Sequence, residues 1–160
     1  MRILDATCSR RIMWENKHDL DTVYMDIRPE VVPDVIGDVR SVPFDDNIFD
    51  LVVFDPPHKS LGVNSTMADR YGIFTDGEIR AAIAGGFAEI GRILRENGLC
   101  LFKWSDGDFP LGKMANMRPP ALTVLVTQRV SYRNKSGNQC FWVTLIKRSK
   151  EKSNNETTKG

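Results

Sequence analysis

Four short apolar runs, each closed by an aspartate, constrain this chain more than any other feature. "RIL" ends at Asp5, "TVYM" at Asp26, "DVIG" at Asp38 and "LVVF" at Asp55. Runs of this length, rich in β-branched and aromatic residues and lacking polar alternation, suit strands buried on both faces, the pattern of a parallel sheet covered by helices. The expected architecture is therefore α/β, with carboxylates at the carboxyl ends of successive strands. In open parallel sheets those ends, near the point where strand order reverses, are where ligands collect.

The clearest helix is "TDGEIRAAIAGGFAEIGRILRENG". Thr75 and Glu78 form a capping box, Gly98 stands where a C-terminal glycine belongs, and Ile79, Ile83, Phe87, Ile90 and Leu94 share one face. Gly85 and Gly86 weaken the helix interior and are expected to allow close packing on a strand. A short helix is expected after Asp5 over "SRRIMWENK". Another is expected over "FPLGKMANM", capped by Asp108 and stopped by Pro119 and Pro120. "LCLFKW" reads as a fifth strand. "ALTVLVTQRVSY" and "QCFWVTLIKR" flank the turn "RNKSGN" as an antiparallel hairpin that ends the sheet. The link "IRPEVVP" is too short for a crossover helix, so it is either a minimal extended crossover or a sign that the strand bounds are shifted.

At 160 residues the chain is the size of one domain. Residues 1–148 are expected to form it, and the polar stretch 149–160, which has no apolar anchor, to be disordered. Cys8, Cys100 and Cys140 are widely spaced without a CxxC pair, which argues against a disulfide framework and against zinc; no metal is implied. No apolar stretch approaches the roughly 20 residues that cross a bilayer. "MRILDATCSRR" has no secretory h-region, so a cytoplasmic protein without a membrane partner is expected. Net charge is +1, so a nucleic-acid partner would have to be recruited by a local basic patch.

The turn "DATCSRR" after Asp5 would offer backbone amides to an anionic ligand group. Asp26, about twenty residues on, sits where an acid accepts hydrogen bonds from a ribose diol. With Asp38 in "VIGDVRSVPFDDNIFD" and the strand closed by "DPPH", the series resembles class I S-adenosylmethionine-dependent methyltransferases. It looks closest to small phage-type and prokaryotic members with a DPPH or DPPY-like motif, over residues 2 to about 147. The resemblance implies a single Rossmann-like methyltransferase domain and S-adenosylmethionine as cofactor. It implies that Asp5, Ala6, Thr7, Cys8 and Ser9 line the methionine side, Asp26 binds the ribose hydroxyls with Ile27 also at the cofactor, and Asp38 with Val39 holds the adenine. Asp55, Pro56, Pro57 and His58 match the catalytic motif. The first loop departs from the family's glycine-rich turn, having no glycine. The first strand begins almost at Met1, so the helix that often precedes it is expected to be missing, and a partner subunit or a second copy to complete the site.

The prolines of "DPPH" end the strand ladder because they donate no backbone hydrogen bond, and their fixed φ holds the segment extended. Asp55 and the Pro56 carbonyl would then accept the two N–H groups of a conjugated amino nitrogen, favour its pyramidal form and position it for methylation. His58 would stack on a base. Lys59, Arg70 and Tyr71 in the following loop, and Lys103 and Trp104 at the end of the fifth strand, are candidate substrate contacts, with a core position the alternative for Trp104. The expected acceptor is an amino nitrogen of a nucleic-acid base, in single-stranded DNA or RNA rather than duplex, because the chain has no evident wedge for base flipping. The alternatives are a non-catalytic cofactor- or partner-binding subunit, or a methyltransferase acting on a protein or a small molecule.

Overall fold

The computed structural model describes residues 1–58, 75–107, 109–133 and 137–149. Among the described residues there are seven strands: β1 (Ile3–Asp5), β2 (Thr22–Asp26), β3 (Val35–Ile36), β4 (Phe49–Phe54), β5 (Leu94–Asp106), β6 (Leu122–Arg133) and β7 (Gln139–Lys147). They form one sheet in the order β3-β2-β1-β4-β5-β7-β6. β1 to β5 run parallel, and β7 is antiparallel to both β5 and β6. The expected mostly parallel sheet ending in an antiparallel hairpin is present. Its order reverses between β1 and β4, so the carboxyl ends of β1, β2 and β4 converge there.

The principal helix, α1 (Asp76–Ile93), begins with the capping box read from the sequence: Thr75 Oγ1 accepts from Glu78 N, and Glu78 accepts from Thr75 N. Ile79, Ile83, Phe87 and Ile90 face the sheet and pack with Leu4, Met25, Phe54, Phe102, Trp104 and Val143. Burying a side chain of this size contributes about 1.5–3 kcal/mol. Gly86 is required by this contact, because a Cβ there would lie 2.7 Å from Phe54 Cζ.

Gly98 does not end the helix. α1 stops at Ile93 and β5 begins at once with Leu94. Between the pairs Phe49↔Leu94 and Leu51↔Leu99 the β5 ladder bulges, and Asn97 takes a φ of 63°. A Cβ on Gly98 would meet Arg95 O at 2.9 Å and Phe49 O at 3.2 Å, so close backbone approach, not helix termination, fixes that glycine.

The helix expected over "SRRIMWENK" is absent; the segment is a series of turns. Ser9 and Arg11 hold φ values of 47° and 54°, outside helical geometry. Arg11 and Trp14 spend their donors on distant partners, and nine residues are too few to nucleate a helix against such bonds. The short helix α2 (Leu111–Ala115) forms, but Leu111 N donates to Asp106 Oδ1 at 2.9 Å; Asp108 lies outside the described residues. The link from β2 to β3 is a minimal crossover with one 3-10 turn at Pro29–Val31. The stretch 150–160 also lies outside the described residues.

Arg92, in the last turn of α1, holds the segment before β4. Its guanidinium donates to Val42 O, Phe44 O, Asp46 and Glu89, and Glu89 Oε2 accepts from Val42 N. The bonds to Val42, Phe44 and Asp46 each span more than forty residues of sequence. No helix of the described residues is long and apolar enough to cross a membrane.

Candidate active site

Asp5 is the last residue of β1, Asp26 the last of β2, Asp38 follows β3 by two residues and Asp55 follows β4 directly. Parallel pairing places all four at one edge of the sheet. What surrounds each carboxylate differs.

Asp5 is fully buried. Trp14 Nε1 donates to its Oδ2 at 2.7 Å and Thr7 N to its Oδ1 at 3.2 Å. Burial, followed at a distance by the charges of Asp55 and Asp26, pushes its carboxyl from the ordinary 3.8 up to about 6, against the pull of those two hydrogen bonds. Trp14 is itself held edge-on to Tyr24, with the Arg11 guanidinium 3.9 Å from the Tyr24 ring centre and bonded to Asp34. The loop after β1 is thereby tied down by side chains instead of by a helix.

Of the five first-loop residues assigned to the cofactor, the side chains of Asp5, Ala6 and Cys8 are buried rather than presented. Cys8 N donates to Met25 O, and burial pushes the thiol up to about 12, so it is protonated at neutral pH and serves as packing. Thr7 and Ser9 are the loop residues whose hydroxyls reach site groups. Thr7 Oγ1 accepts from Asp55 N at 2.8 Å, linking the tip of β4 to the loop after β1. Ser9 N donates to Asp26 Oδ2 at 2.8 Å.

Asp26 is nearly buried and pairs with Arg28, whose backbone N and Nε donate to Oδ1 at 3.0 and 3.1 Å and whose Nη2 donates to Oδ2 at 3.3 Å. Its neighbour Ile27 is 52% exposed, an apolar surface beside the acid. Asp38 repeats the arrangement: Arg40 N and Nε donate to it, and the Arg40 side chain holds its carboxyl below the usual carboxylate range. Val39 turns to the core instead, against α1, where a Cβ on Gly86 would meet it.

Asp55 Oδ2 accepts from Lys103 Nζ at 2.8 Å. The partnership follows from register, since Phe54 is opposite Phe102 and the next pair along is Asp55 and Lys103. Lys103, expected to contact substrate, is thus a partner of the motif acid; its Nζ also lies 3.7 Å from Met13 Sδ and 5.9 Å from the Trp142 ring centre. For Trp104 the structure shows the core alternative: it is fully buried, donates from Nε1 to Phe109 O at 2.9 Å and stacks on Phe102. It supports the site from beneath, with the half-buried His58 ring edge-on to it at 6.1 Å. Pro56 is buried and Pro57 half-buried. Lys59, Arg70 and Tyr71 lie outside the described residues. Among the described residues no group of three or more His, Cys, Asp or Glu side chains is placed to hold a metal ion.

Sequence reasoning missed Trp14 and Arg28. Arg28 had a local signal, since "DIR" and "DVR" put an arginine two residues after each of two strand-end acids. Trp14 had none, because its partner is fixed by the course of an irregular loop.

No family model matches the chain and no curated protein matches its sequence. Solved structures do match its fold. A TehB-like SAM-dependent methyltransferase from Corynebacterium glutamicum superposes with a TM-score of 0.62 at 16% identity, over 92% of this chain and 80% of that one. The N-methyltransferase NodS from Bradyrhizobium japonicum gives 0.61 at 14%, over 92% and 86%; a second NodS structure, with S-adenosyl-L-homocysteine bound, gives 0.57 at 12%, over 92% and 76%. The [4+2]-cyclase SpnF gives 0.61 at 14%, over 92% and 74%. At these identities the likeness is one of fold: the chain has the Rossmann-like fold that these methyltransferases share with a cyclase.

Proposed function

We propose that the protein transfers a methyl group from S-adenosylmethionine to an amino nitrogen, with a base of single-stranded DNA or RNA as the favoured acceptor. The observation that carries this reading is the placement of Asp55-Pro56-Pro57-His58 at the tip of β4, beside the switch point and on the same sheet edge as Asp5, Asp26 and Asp38. Fold neighbours that are N-methyltransferases support it.

The chemistry of the residues fits the cofactor. Asp26 and Asp38 are acceptors suited to hydroxyl and amino groups of a nucleoside, and exposed Ile27 beside Asp26 offers an apolar surface to the cofactor. Thr7 and Ser9 would face the amino-acid end. When bound, the cofactor supplies an electrophilic methyl group. The chain's own part is to position and to accept protons. Lys103 occupies one oxygen of Asp55, which leaves the other to take an N–H of the acceptor amine. His58, braced on Trp104, would present its ring to the base.

One observation favours a second reading, a binding subunit without catalysis: Asp26, Asp38 and Asp55 each already hold a cation of the same chain. Incorporation of labelled methyl groups into single-stranded DNA, RNA and protein fractions separates the two. Asp55→Ala is expected to lower incorporation by about a hundredfold while cofactor binding persists. No incorporation by the wild-type chain into any fraction would favour the binding subunit.

A further inference from the structure

Asp26 has no vacant acceptor position. A carboxylate offers about four lone-pair sites, and four N–H groups point at this one: Ser9 N, Arg28 N, Arg28 Nε and Arg28 Nη2. Two of them are backbone amides, one from the loop after β1 and one from the turn after β2. The other two belong to a guanidinium that also reaches Ser9 Oγ at 3.2 Å. Its side chain is only 18% exposed and that of Asp26 is 7%, so the pair is shielded from the water that would otherwise loosen it.

A ribose diol has two O–H donors, the same number that the guanidinium places on Asp26. Resting on the cofactor reading above, we propose that Arg28 is an internal competitor for the nucleoside diol: its fork holds the ribose site closed, and a nucleoside enters by displacing it. Arg28 then sets cofactor affinity from within the site. The apparent dissociation constant is the intrinsic one divided by the fraction of molecules in which the fork has left Asp26.

The proposal predicts an opposition that a merely structural arginine would not produce. Titration calorimetry with S-adenosylhomocysteine, alongside thermal melts of the unliganded protein, is the test. Arg28→Ala should bind about tenfold more tightly than wild type, while its Tm falls by about 2–4 °C because Asp26 loses its partner. Arg28→Lys, which keeps the charge but loses the planar fork, should also tighten binding and provides the test should the alanine variant fail to fold. Asp26→Ala should lose binding. The gain in Arg28→Ala should hold for adenosine and vanish for 2′,3′-dideoxyadenosine, which has no diol to compete. Equal or weaker binding by both Arg28 variants, with wild type still binding, overturns the competitor and leaves the cofactor reading intact. No binding by any of the chains overturns both.

Discussion

Arg92 and Arg28 both clamp carboxylates, yet they hold different things. Arg92 ties the end of α1 to Val42, Phe44 and Asp46, segments more than forty residues away in sequence. Arg28 makes most of its bonds to an acid two residues back, on the same strand end. The first holds the fold together, since breaking it frees a long loop. The second closes mainly on its own strand end, with one further bond to Ser9 Oγ in the loop after β1. An arginine that closes on its own neighbour at a sheet edge therefore reads as an occupant of a site, whereas one that bridges distant segments reads as a fastener.

The sharpest way to break this comparison is at Arg92. Arg92→Ala removes charge-assisted bonds to two carbonyls and two carboxylates and leaves Glu89 without its partner, and urea unfolding is expected to show a loss of about 2–3 kcal/mol. A loss under about 0.5 kcal/mol would erase the distinction between fastener and occupant.

Asp5 comes next, because its partner is a neutral indole and not a cation. Its folded-state value, about 6, lies above the ordinary 3.8, so between those values the folded protein binds more protons than the unfolded one. The stability contribution of this group is therefore full below about pH 4 and is lost as pH rises toward 6, by about 2–3 kcal/mol in all. Asp5→Asn should flatten that slope in a pH series of unfolding curves; an unchanged slope would assign it to another group.

Arg40 should have the smallest effect. Its pair with Asp38 repeats the Arg28 geometry in a more exposed setting, so Arg40→Ala should change stability by no more than about 0.5 kcal/mol. A larger loss in thermal or urea unfolding would mean that local clamps of this type are structural after all.

Sequence reading reached different depths in these regions. The strand-end acids were legible because buried parallel strands cannot alternate polarity, so each apolar run marked its own end. α1 was legible through Thr75, Glu78 and the spacing from Ile79 to Ile90. The loop after β1 was not, because the partners that decide its shape, Asp5 for Trp14 and Asp34 for Arg11, are not specified by local pattern. Trp104 was ambiguous for a related reason: only the strand alternation with Lys103 shows which of the two faces Asp55 and which enters the core. Gly98 misled because helix termination and close backbone approach both select glycine.

The hydrogen bond from Asp55 N to Thr7 Oγ1 means that the tip of β4 and the loop after β1 do not shift independently. Whatever re-seats one of them does work on the other. If two ligands engage these two places, their affinities are linked, and linkage is symmetrical: the factor by which the first occupant changes the hold on the second is the factor by which the second changes the hold on the first. A single threonine hydroxyl is thus the described link through which occupancy of one place can favour or disfavour occupancy of the other.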